Sequence, residues 1–175
     1  MRRGPTAATF RWARRIVTEP LQIPVAPIGY VACSRAVAED DRWDAETSII
    51  QLAPRYGPES LLGLADFSHL EVLYHFHKID ASRVTPGARH PRGNPAWPLT
   101  GIFAQRGSTR PNRLGTTICR LIRVEGTAVH LSGLDAIDGT PVLDIKPVMT
   151  EFLPRGLVMQ PAWSRELMKD YWDER

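Results

Sequence analysis

The chain has 175 residues, 43% of them hydrophobic and 23% charged, which is enough for one domain with a hydrophobic core and short for two. Its two cysteines, Cys33 and Cys119, form no CxxC pair. This excludes a disulfide framework and a zinc knuckle, and it favours a reducing, cytoplasmic setting. No apolar run approaches the roughly 20 residues that a membrane span needs.

The formal net charge of +3 is unevenly distributed. Residues 1–18 hold five arginines and no acidic residue, whereas the rest of the chain holds 17 basic and 19 acidic residues. The sequence therefore predicts a flexible basic arm over residues 1–22. Such an arm can contact RNA phosphates, but it is also typical of a targeting-like extension or an over-long start.

The first half of the chain predicts short strands separated by loops. Residues 28–33 and 48–53 alternate as strands do, and the acidic residues 36–47 between them predict an exposed loop that carries Trp43. A short helix is expected from residue 58 to 64, followed by a strand over residues 70–77 that is rich in β-formers. Residues 79–99 are rich in Pro, Gly and Arg, and long loops of this kind are often functional.

The second half continues the pattern, with strands predicted over residues 102–104, 116–124 and 128–131. Asp138-Gly139 indicates a tight hairpin or turn between the apolar segments 131–137 and 142–145. Ser164 is a plausible N-cap for a C-terminal helix with Leu167, Met168, Tyr171 and Trp172 on one face. Many short strands with turn signals favour an antiparallel barrel or sandwich.

Several common catalytic signatures are missing from the sequence. There is no GxGxxG at a strand–helix junction, which is the usual Rossmann signature of dinucleotide-binding proteins and methyltransferases. There is also no P-loop and no GxSxG. Composition and periodicity alone therefore indicate only a β-rich domain.

Polar motifs lie in the loops between the predicted strands. Residues 90–95 read HPRGNP, residues 101–106 read GIFAQR and residues 110–115 read RPNRLG. Arg106 and Arg110 bring two guanidinium groups close to a Pro-Asn turn, and guanidinium groups match carboxylates and phosphates. Either arginine can equally be a solvated loop residue.

A third motif, over residues 133–147, reads GLDAIDGTPVLDIKP. Asp135, Asp138 and Asp144 suit ribose hydroxyls, a ligand ammonium group or a divalent metal. The simpler alternatives are that Asp138 belongs to a turn and that Asp144 pairs with Lys146.

His75 and His77 offer one further possibility. Two residues apart on a strand, their side chains point to the same face, which permits joint metal binding. No third ligand is evident nearby, so we predict no metal site and favour core or cofactor contacts.

Taken in order, RGNP, TGIFAQR, RPNRLG and LDAIDGTPVLDIKP resemble the TsaA-like (TrmO-type) family of tRNA N6-methyltransferases. Phe67-Ser-His-Leu70 with Phe76-His77 resembles the same family's strand block. The resemblance covers about residues 26–150.

The resemblance implies a mainly β fold, an antiparallel β-barrel with short helices and a C-terminal helical tail. The barrel would be a methyltransferase domain over residues 23–153, and the tail would span residues 154–175. It further implies a homodimer that binds S-adenosyl-L-methionine and methylates N6 of threonylcarbamoyladenosine at tRNA position 37.

Residue by residue, the resemblance implies a cofactor site, a substrate surface and two candidate proton acceptors. Trp43 could stack on adenine. The cofactor-binding candidates are Asp41, Arg42, Trp43, His77, Lys78, Arg106, Thr116, Ser132, Gly133, Leu134 and Asp135. The catalytic candidates are Asp138 and His77, and the substrate-binding candidates are Arg110, Asn112 and Lys146.

Some positions depart from the family pattern. Val148 replaces the tyrosine that usually follows DIKP, Arg113 replaces a frequent proline, and Glu71 and His75 stand where aromatic residues are common. With the short tail and the slightly acidic remainder, these differences keep two alternatives open. One is a methyltransferase of the same fold that acts on a small molecule or free nucleoside, and the other is a non-catalytic cofactor- or RNA-binding module.

Overall fold

The computed structural model describes residues 21–172, so nearly all of the predicted basic arm lies outside the described residues. Within this range the chain forms eight strands, one α-helix and six short 3-10 turns. The strands are β1 (Gly29–Cys33), β2 (Thr47–Leu52), β3 (His69–His75), β4 (Ala88–Arg89), β5 (Thr100–Gly101), β6 (Leu114–Glu125), β7 (Ala128–Ser132) and β8 (Pro141–Pro147), and the helix is α1 (Ala162–Leu167). The 3-10 turns are Pro58–Leu61, Leu64–Asp66, Ala81–Arg83, Pro91–Gly93, Ile102–Ala104 and Thr150–Phe152.

Six of the strands close into an antiparallel barrel in the order β1-β2-β7-β6-β3-β8. Closure is made by β8, which pairs with β3 along most of its length and with β1 at Gly29↔Val142. The remaining strands, β4 and β5, form a separate two-stranded sheet in the long loop. The predicted mainly β fold, an antiparallel barrel with short helices, is thereby confirmed.

Alternating side chains fill the barrel because successive residues of a strand point to opposite faces. In β3, Leu70, Val72 and Tyr74 are buried, whereas Glu71 is exposed and Leu73 partly exposed between them. The other strands contribute in the same way, and burial of these apolar side chains is the main stabilising contribution to the fold. The core also contains Val31, Ile50, Leu52, Cys119, Val129, Leu131, Leu134, Ala136 and Val142.

One aromatic side chain in the barrel depends on a glycine opposite it. Gly115 in β6 is the register partner of Tyr74 in β3. A Cβ on Gly115 would lie 2.4 Å from Cε2 and 2.8 Å from the hydroxyl of Tyr74. The absence of a side chain at this position therefore makes room for the Tyr74 ring.

Two local predictions are wrong. Residues 102–104 form a 3-10 turn after the two-residue strand β5, not a strand. Ser164 lies inside α1 and its hydroxyl donates to the carbonyl of Pro161, the actual N-cap residue, at 2.9 Å.

Of the two alternatives predicted for Asp138-Gly139, the structure has the turn, with Gly139 at φ +75°. The turn does not close a hairpin, because β7 pairs with β2 and β6 while β8 pairs with β1 and β3.

Within residues 21–172, no helix has the length and apolar character required to cross a membrane.

Candidate functional site

The loop between β1 and β2 is folded around the side chain of Arg35. Its Nε lies 3.2 Å from Oε1 of Glu46, and its two terminal nitrogens donate to the carbonyls of Asp41 at 3.0 Å and Arg42 at 2.9 Å. The guanidinium carbon also lies 4.1 Å from the centroid of the Trp43 ring, a cation–π contact. Arg35 therefore holds the backbone of Asp41 and Arg42 and the ring of Trp43, three residues that the resemblance assigns to the cofactor site.

Trp43 is 5% exposed, so the prediction of an exposed tryptophan in this loop is wrong. The ring is covered by Arg35, eight residues earlier in the sequence, which a local reading of an acidic loop cannot detect. Arg42 takes a left-handed backbone conformation, with φ +64°.

Arg92, from the RGNP motif, also binds this loop. Its guanidinium binds Asp41 through two nitrogens, at 2.6 and 3.0 Å, and donates to the carbonyl of Asp40 at 3.0 Å. Burial lowers the pKa of Arg92, but the Asp41 hydrogen bond and the charges of Asp40 and Asp41 outweigh it and leave this pKa raised. Two forked hydrogen bonds to one carboxylate give a rigid link between the long loop and the predicted cofactor loop.

The segment from Ser132 to Asp135 turns sharply at the end of β7. Gly133 has φ +75°, and its amide donates to the carbonyl of Glu46 at 3.0 Å. Leu134 is fully buried in the barrel core, so only its main chain remains for ligand contacts. Burial of Leu134 therefore holds the turn against the barrel core, and Asp135 is the next residue in the sequence.

Three hydroxyl groups surround Asp135. Thr117 donates to its Oδ1 at 2.8 Å, Tyr171 donates to its Oδ2, and Tyr74 donates to its main-chain carbonyl at 3.0 Å. Burial raises the pKa of this carboxyl to about 8. Strongly shifted pKa values are common among the residues of functional sites, although structural hydrogen-bond networks also shift pKa values.

Arg106 and Thr116 lie together, as the resemblance implies. The Arg106 guanidinium donates to the carbonyl of Thr116 at 2.7 Å. The Thr116 hydroxyl faces outward and donates to Glu71 at 3.1 Å. The charges of Arg106 and Arg92 act on Tyr171 to lower its pKa, but burial dominates and raises the pKa of Tyr171 to about 12. Arg106 is thus hydrogen-bonded to the residue next to Thr117, whose hydroxyl binds Asp135.

His77, Lys78 and Asp138 form a second group on the other side of the Arg35 loop. Lys78 donates to the carbonyl of Ala36 at 2.9 Å, and the amide of Asp138 donates to the carbonyl of Arg35 at 2.8 Å. His77 approaches the turn, with its Nε2 3.9 Å from the position of a Cβ on Gly139.

The environment of His77 lowers the pKa of its imidazole. Burial and the neighbouring charges of Lys78 and His75 lower it, and Asp138 opposes them. His77 is therefore largely neutral at pH 7, when an imidazole can accept a proton. The prediction that His75 and His77 share a strand face fails because β3 ends at His75. Among the described residues no three His, Cys, Asp or Glu side chains are grouped so as to hold a metal.

The substrate-binding candidates lie on two elements, Arg110 and Asn112 in the turn before β6 and Lys146 on β8. Arg110 donates to the carbonyl of Gln105 at 3.0 Å, and Asn112 is exposed in the following turn. Lys146 lies on the outer wall of the barrel, where its ammonium group pairs with Asp144. The simpler alternative for Asp144 and Lys146, mutual pairing, is what the structure has.

Five residues of this region were not singled out as site residues by sequence reasoning: Arg35, Tyr74, Arg92, Thr117 and Tyr171. Arg92 lies in the HPRGNP motif, where its charge is a signal for a site residue. The others are recognisable only from contacts between segments that are distant in sequence.

Two open clefts lie elsewhere on the surface. One, of about 520 Å³, is lined by residues that include Tyr30, Gln51 and Tyr56, and the other, of about 410 Å³, by residues that include Cys33, Ser48 and His130. Neither contains a predicted site residue. The buried carboxyl and paired guanidinium groups around Asp135 make that region the stronger candidate, since ligand sites need converging polar groups as well as volume.

Comparison with known proteins identifies the family of the chain. The model of the tRNA-methyltransferase O N-terminal domain matches residues 38–152. A human tRNA (adenine(37)-N6)-methyltransferase is 46% identical over 102 residues, which cover 58% of this chain and 23% of the human protein. A probable S-adenosyl-L-methionine-binding protein of Methanothermobacter thermautotrophicus is 35% identical over 73% of this chain and 90% of its own length.

The solved structures agree with the sequence comparisons. A crystal structure of TrmO from Pseudomonas aeruginosa superposes with a TM-score of 0.66 at 30% identity, covering 83% of this chain and 63% of that protein. The chain thus spans less than a quarter of the human relative and under two thirds of the crystallised one. The chain belongs to the family of the tRNA-methyltransferase O N-terminal domain.

Proposed function

We propose that the protein is an S-adenosyl-L-methionine-dependent methyltransferase that methylates N6 of threonylcarbamoyladenosine at position 37 of a tRNA. The observation that carries the proposal is the buried carboxyl of Asp135, ringed by hydroxyl donors on the side of the barrel where Arg106 and Arg92 lie. The printed names of the human and archaeal relatives, a tRNA adenine methyltransferase and an S-adenosyl-L-methionine-binding protein, support it.

The polar groups on this side of the barrel suit the cofactor. S-adenosylmethionine carries hydroxyls and an ammonium group, which a carboxylate binds, and a carboxylate of its own, which a guanidinium binds. Asp135 supplies the first partner: its raised pKa leaves it protonated in the free protein at neutral pH, and the ammonium group of the cofactor would stabilise its ionised form. Arg106 supplies the second partner. The turn at Gly133, the loop at Asp41 and Arg42, and the pair His77 and Lys78 would line the remaining sides, with Trp43 holding the loop from within.

The cofactor supplies an already activated methyl group, so the protein's main task is to position the acceptor. An N6 nitrogen that bears an acyl group is more acidic than a plain amine, and a nearby base can take its proton. His77 is the better candidate for this role, because its lowered pKa leaves one imidazole nitrogen free to accept a proton at neutral pH. Asp138 beside it would orient the imidazole or share the proton.

Arg110 and Asn112 are the proposed contacts to the substrate phosphates. Lys146 contributes less to this surface, because its charge is already paired with Asp144. This pairing is the observation that favours the second candidate function, transfer to a free nucleoside or other small molecule. A cytoplasmic homodimer remains part of the proposal through the family resemblance.

The first experiment is calorimetric titration of S-adenosylmethionine and S-adenosylhomocysteine into the protein. Saturable binding is expected, and Arg106→Ala should weaken it at least about tenfold, since hydrogen bonds to charged groups contribute about 1.5–3 kcal/mol. Arg123→Ala is the matched control, because that exposed arginine contacts Glu125 on β6 and lies outside the site. No saturable binding at millimolar ligand would reject the proposal.

Transfer of a labelled methyl group then separates the substrates. The tRNA function predicts transfer to tRNA that carries threonylcarbamoyladenosine, and none to the same tRNA without the threonylcarbamoyl group. Affinity for that tRNA should fall steeply as salt is raised. Transfer to the free nucleoside at a comparable rate would favour the second candidate, and ligand binding without transfer to any acceptor would favour a non-catalytic module.

A further inference from the structure

The C-terminal segment returns to the candidate site. After α1 the chain runs beside the cofactor loop, where the amides of Arg42 and Trp43 donate to the carbonyls of Asp170 at 3.1 Å and Tyr171 at 3.0 Å. The indole of Trp97, in the long loop, donates to Glu166 of α1 at 2.9 Å. The segment is therefore held against two of the loops that form the site.

Two aromatic side chains of this segment reach the turn that presents Asp135. Tyr171 donates its hydroxyl to Oδ2 of Asp135. The ring of Trp172 lies 3.7 Å from the position of a Cβ on Gly133. Thr117 donates to Oδ1, so these two residues place one hydroxyl donor on each oxygen of the Asp135 carboxyl group.

A phenol hydroxyl and a sugar hydroxyl can each donate one hydrogen bond to a carboxylate oxygen. Carboxylates in nucleotide sites accept hydrogen bonds from ribose hydroxyls in the same manner. The pKa of Tyr171, raised by burial to about 12, keeps this hydroxyl protonated and able to donate throughout the neutral range. The Tyr171 side chain thus lies in the space from which a ligand hydroxyl or ammonium group would approach Oδ2 of Asp135.

The segment is attached in a way that permits it to leave. Residues 153–161, between the 3-10 turn Thr150–Phe152 and α1, are exposed throughout and form no strand or helix. Pro154, Gly156 and Pro161 lie in this stretch, with Gly156 at φ +93°. Moving α1 and the residues after it therefore breaks few buried contacts and leaves the barrel strands unchanged.

We infer that Tyr171 is an exchangeable partner of Asp135, whose hydroxyl competes with a hydroxyl or ammonium group of S-adenosylmethionine for the same carboxylate oxygen. This inference rests on the proposed function and adds a residue that sets the affinity for the cofactor. Ligand binding releases the segment from Asp170 to Trp172, and the amides of Arg42 and Trp43 lose their present acceptors.

The test compares the affinity of S-adenosylhomocysteine for the full chain and for single variants. Tyr171→Phe removes the competing donor and should tighten binding roughly five- to tenfold, the equivalent of one hydrogen bond. Glu166→Ala loosens the segment without contacting Asp135 and should tighten binding roughly threefold. Tyr30→Phe is the matched control, because Tyr30 is half exposed on β1, and its affinity should equal that of the wild type.

The direction of the change distinguishes competition from a structural role, which would weaken binding. If the wild type binds and Tyr171→Phe binds equally or more weakly, this inference is overturned while the proposed function stands. If no variant binds either cofactor form, the proposed function fails and this inference with it. Hydrogen exchange gives a second measurement: protection of the Arg42 and Trp43 amides should fall at saturating ligand, and unchanged protection would contradict the competition.

Discussion

Gly115→Ala tests whether the barrel interior positions Asp135. The added methyl group would lie 2.4–2.8 Å from three atoms of the Tyr74 ring and hydroxyl, whereas carbon atoms in contact prefer about 3.5–4.0 Å. The ring must therefore retreat by roughly 1 Å. Because Tyr74 is 1% exposed, it has little room to do so without losing its hydrogen bond to the carbonyl of Asp135.

Overpacking of this kind costs about 1–3 kcal/mol and a lost hydrogen bond about 1 kcal/mol. We therefore expect the free energy of unfolding to fall by about 2–4 kcal/mol, measured by urea denaturation followed by tryptophan fluorescence. Cofactor affinity should fall as well, because Asp135 loses one of its supports.

The control is Gly101→Ala, at a position in β5 where an added Cβ meets no atom within 4 Å. It reports the entropic effect of replacing glycine, which stabilises by about 0.4–1 kcal/mol where the backbone permits. Tyr74→Leu combined with Gly115→Ala should recover part of the loss, since leucine leaves space for the methyl group. If Gly115→Ala unfolds within about 0.5 kcal/mol of the control, the steric argument is wrong.

Two further predictions concern proton equilibria. The raised pKa of Asp135 means that the folded protein retains a proton that the unfolded chain releases, so stability from this group is complete below about pH 4 and is lost as pH rises to about 8. Asp135→Asn should reduce the change in the free energy of unfolding between pH 4 and 9 by up to about 5 kcal/mol, measured by urea titrations at each pH. The same pH dependence of the free energy of unfolding in both proteins would contradict this prediction. For His77, a lowered pKa predicts that the methyl-transfer rate falls only at a pH below the one, about 6.5, at which an ordinary histidine becomes protonated. His77→Asn should reduce kcat at least about 100-fold, whereas His69→Asn on the exposed start of β3 should not. An unchanged kcat in His77→Asn would remove this residue from proton transfer.

The strands were predictable because their pattern is local. Leu70, Val72 and Tyr74 alternate with polar neighbours, and that alternation alone determines which face enters the core. The same reasoning failed at residues 102–104, where a short apolar run between turns fits a strand and a 3-10 turn equally well. Runs this short carry too little periodicity to separate the two.

The candidate site was only partly predictable. Motif order singled out Asp135, Arg106 and the Asp41 loop, whose assignment to a cofactor site stays a prediction. It did not single out Arg35, which contacts the Trp43 ring. It also did not single out Tyr171, which contacts Asp135, 36 residues earlier in the sequence. Such contacts are set by the closed barrel and have no signature in any one segment.

Barrel closure also has a consequence for how the chain folds. β1 cannot be paired on both sides until β8 is in place, and their register partners Gly29 and Val142 are 113 residues apart. Contacts between such distant segments carry a large loop-closure entropy before any burial compensates it, so folding should be slow, in the range of milliseconds to seconds. Until then β1 and β3 each present an unpaired edge that a second chain can occupy. During synthesis the chain is therefore most prone to aggregation in the interval between the emergence of β7 and that of β8.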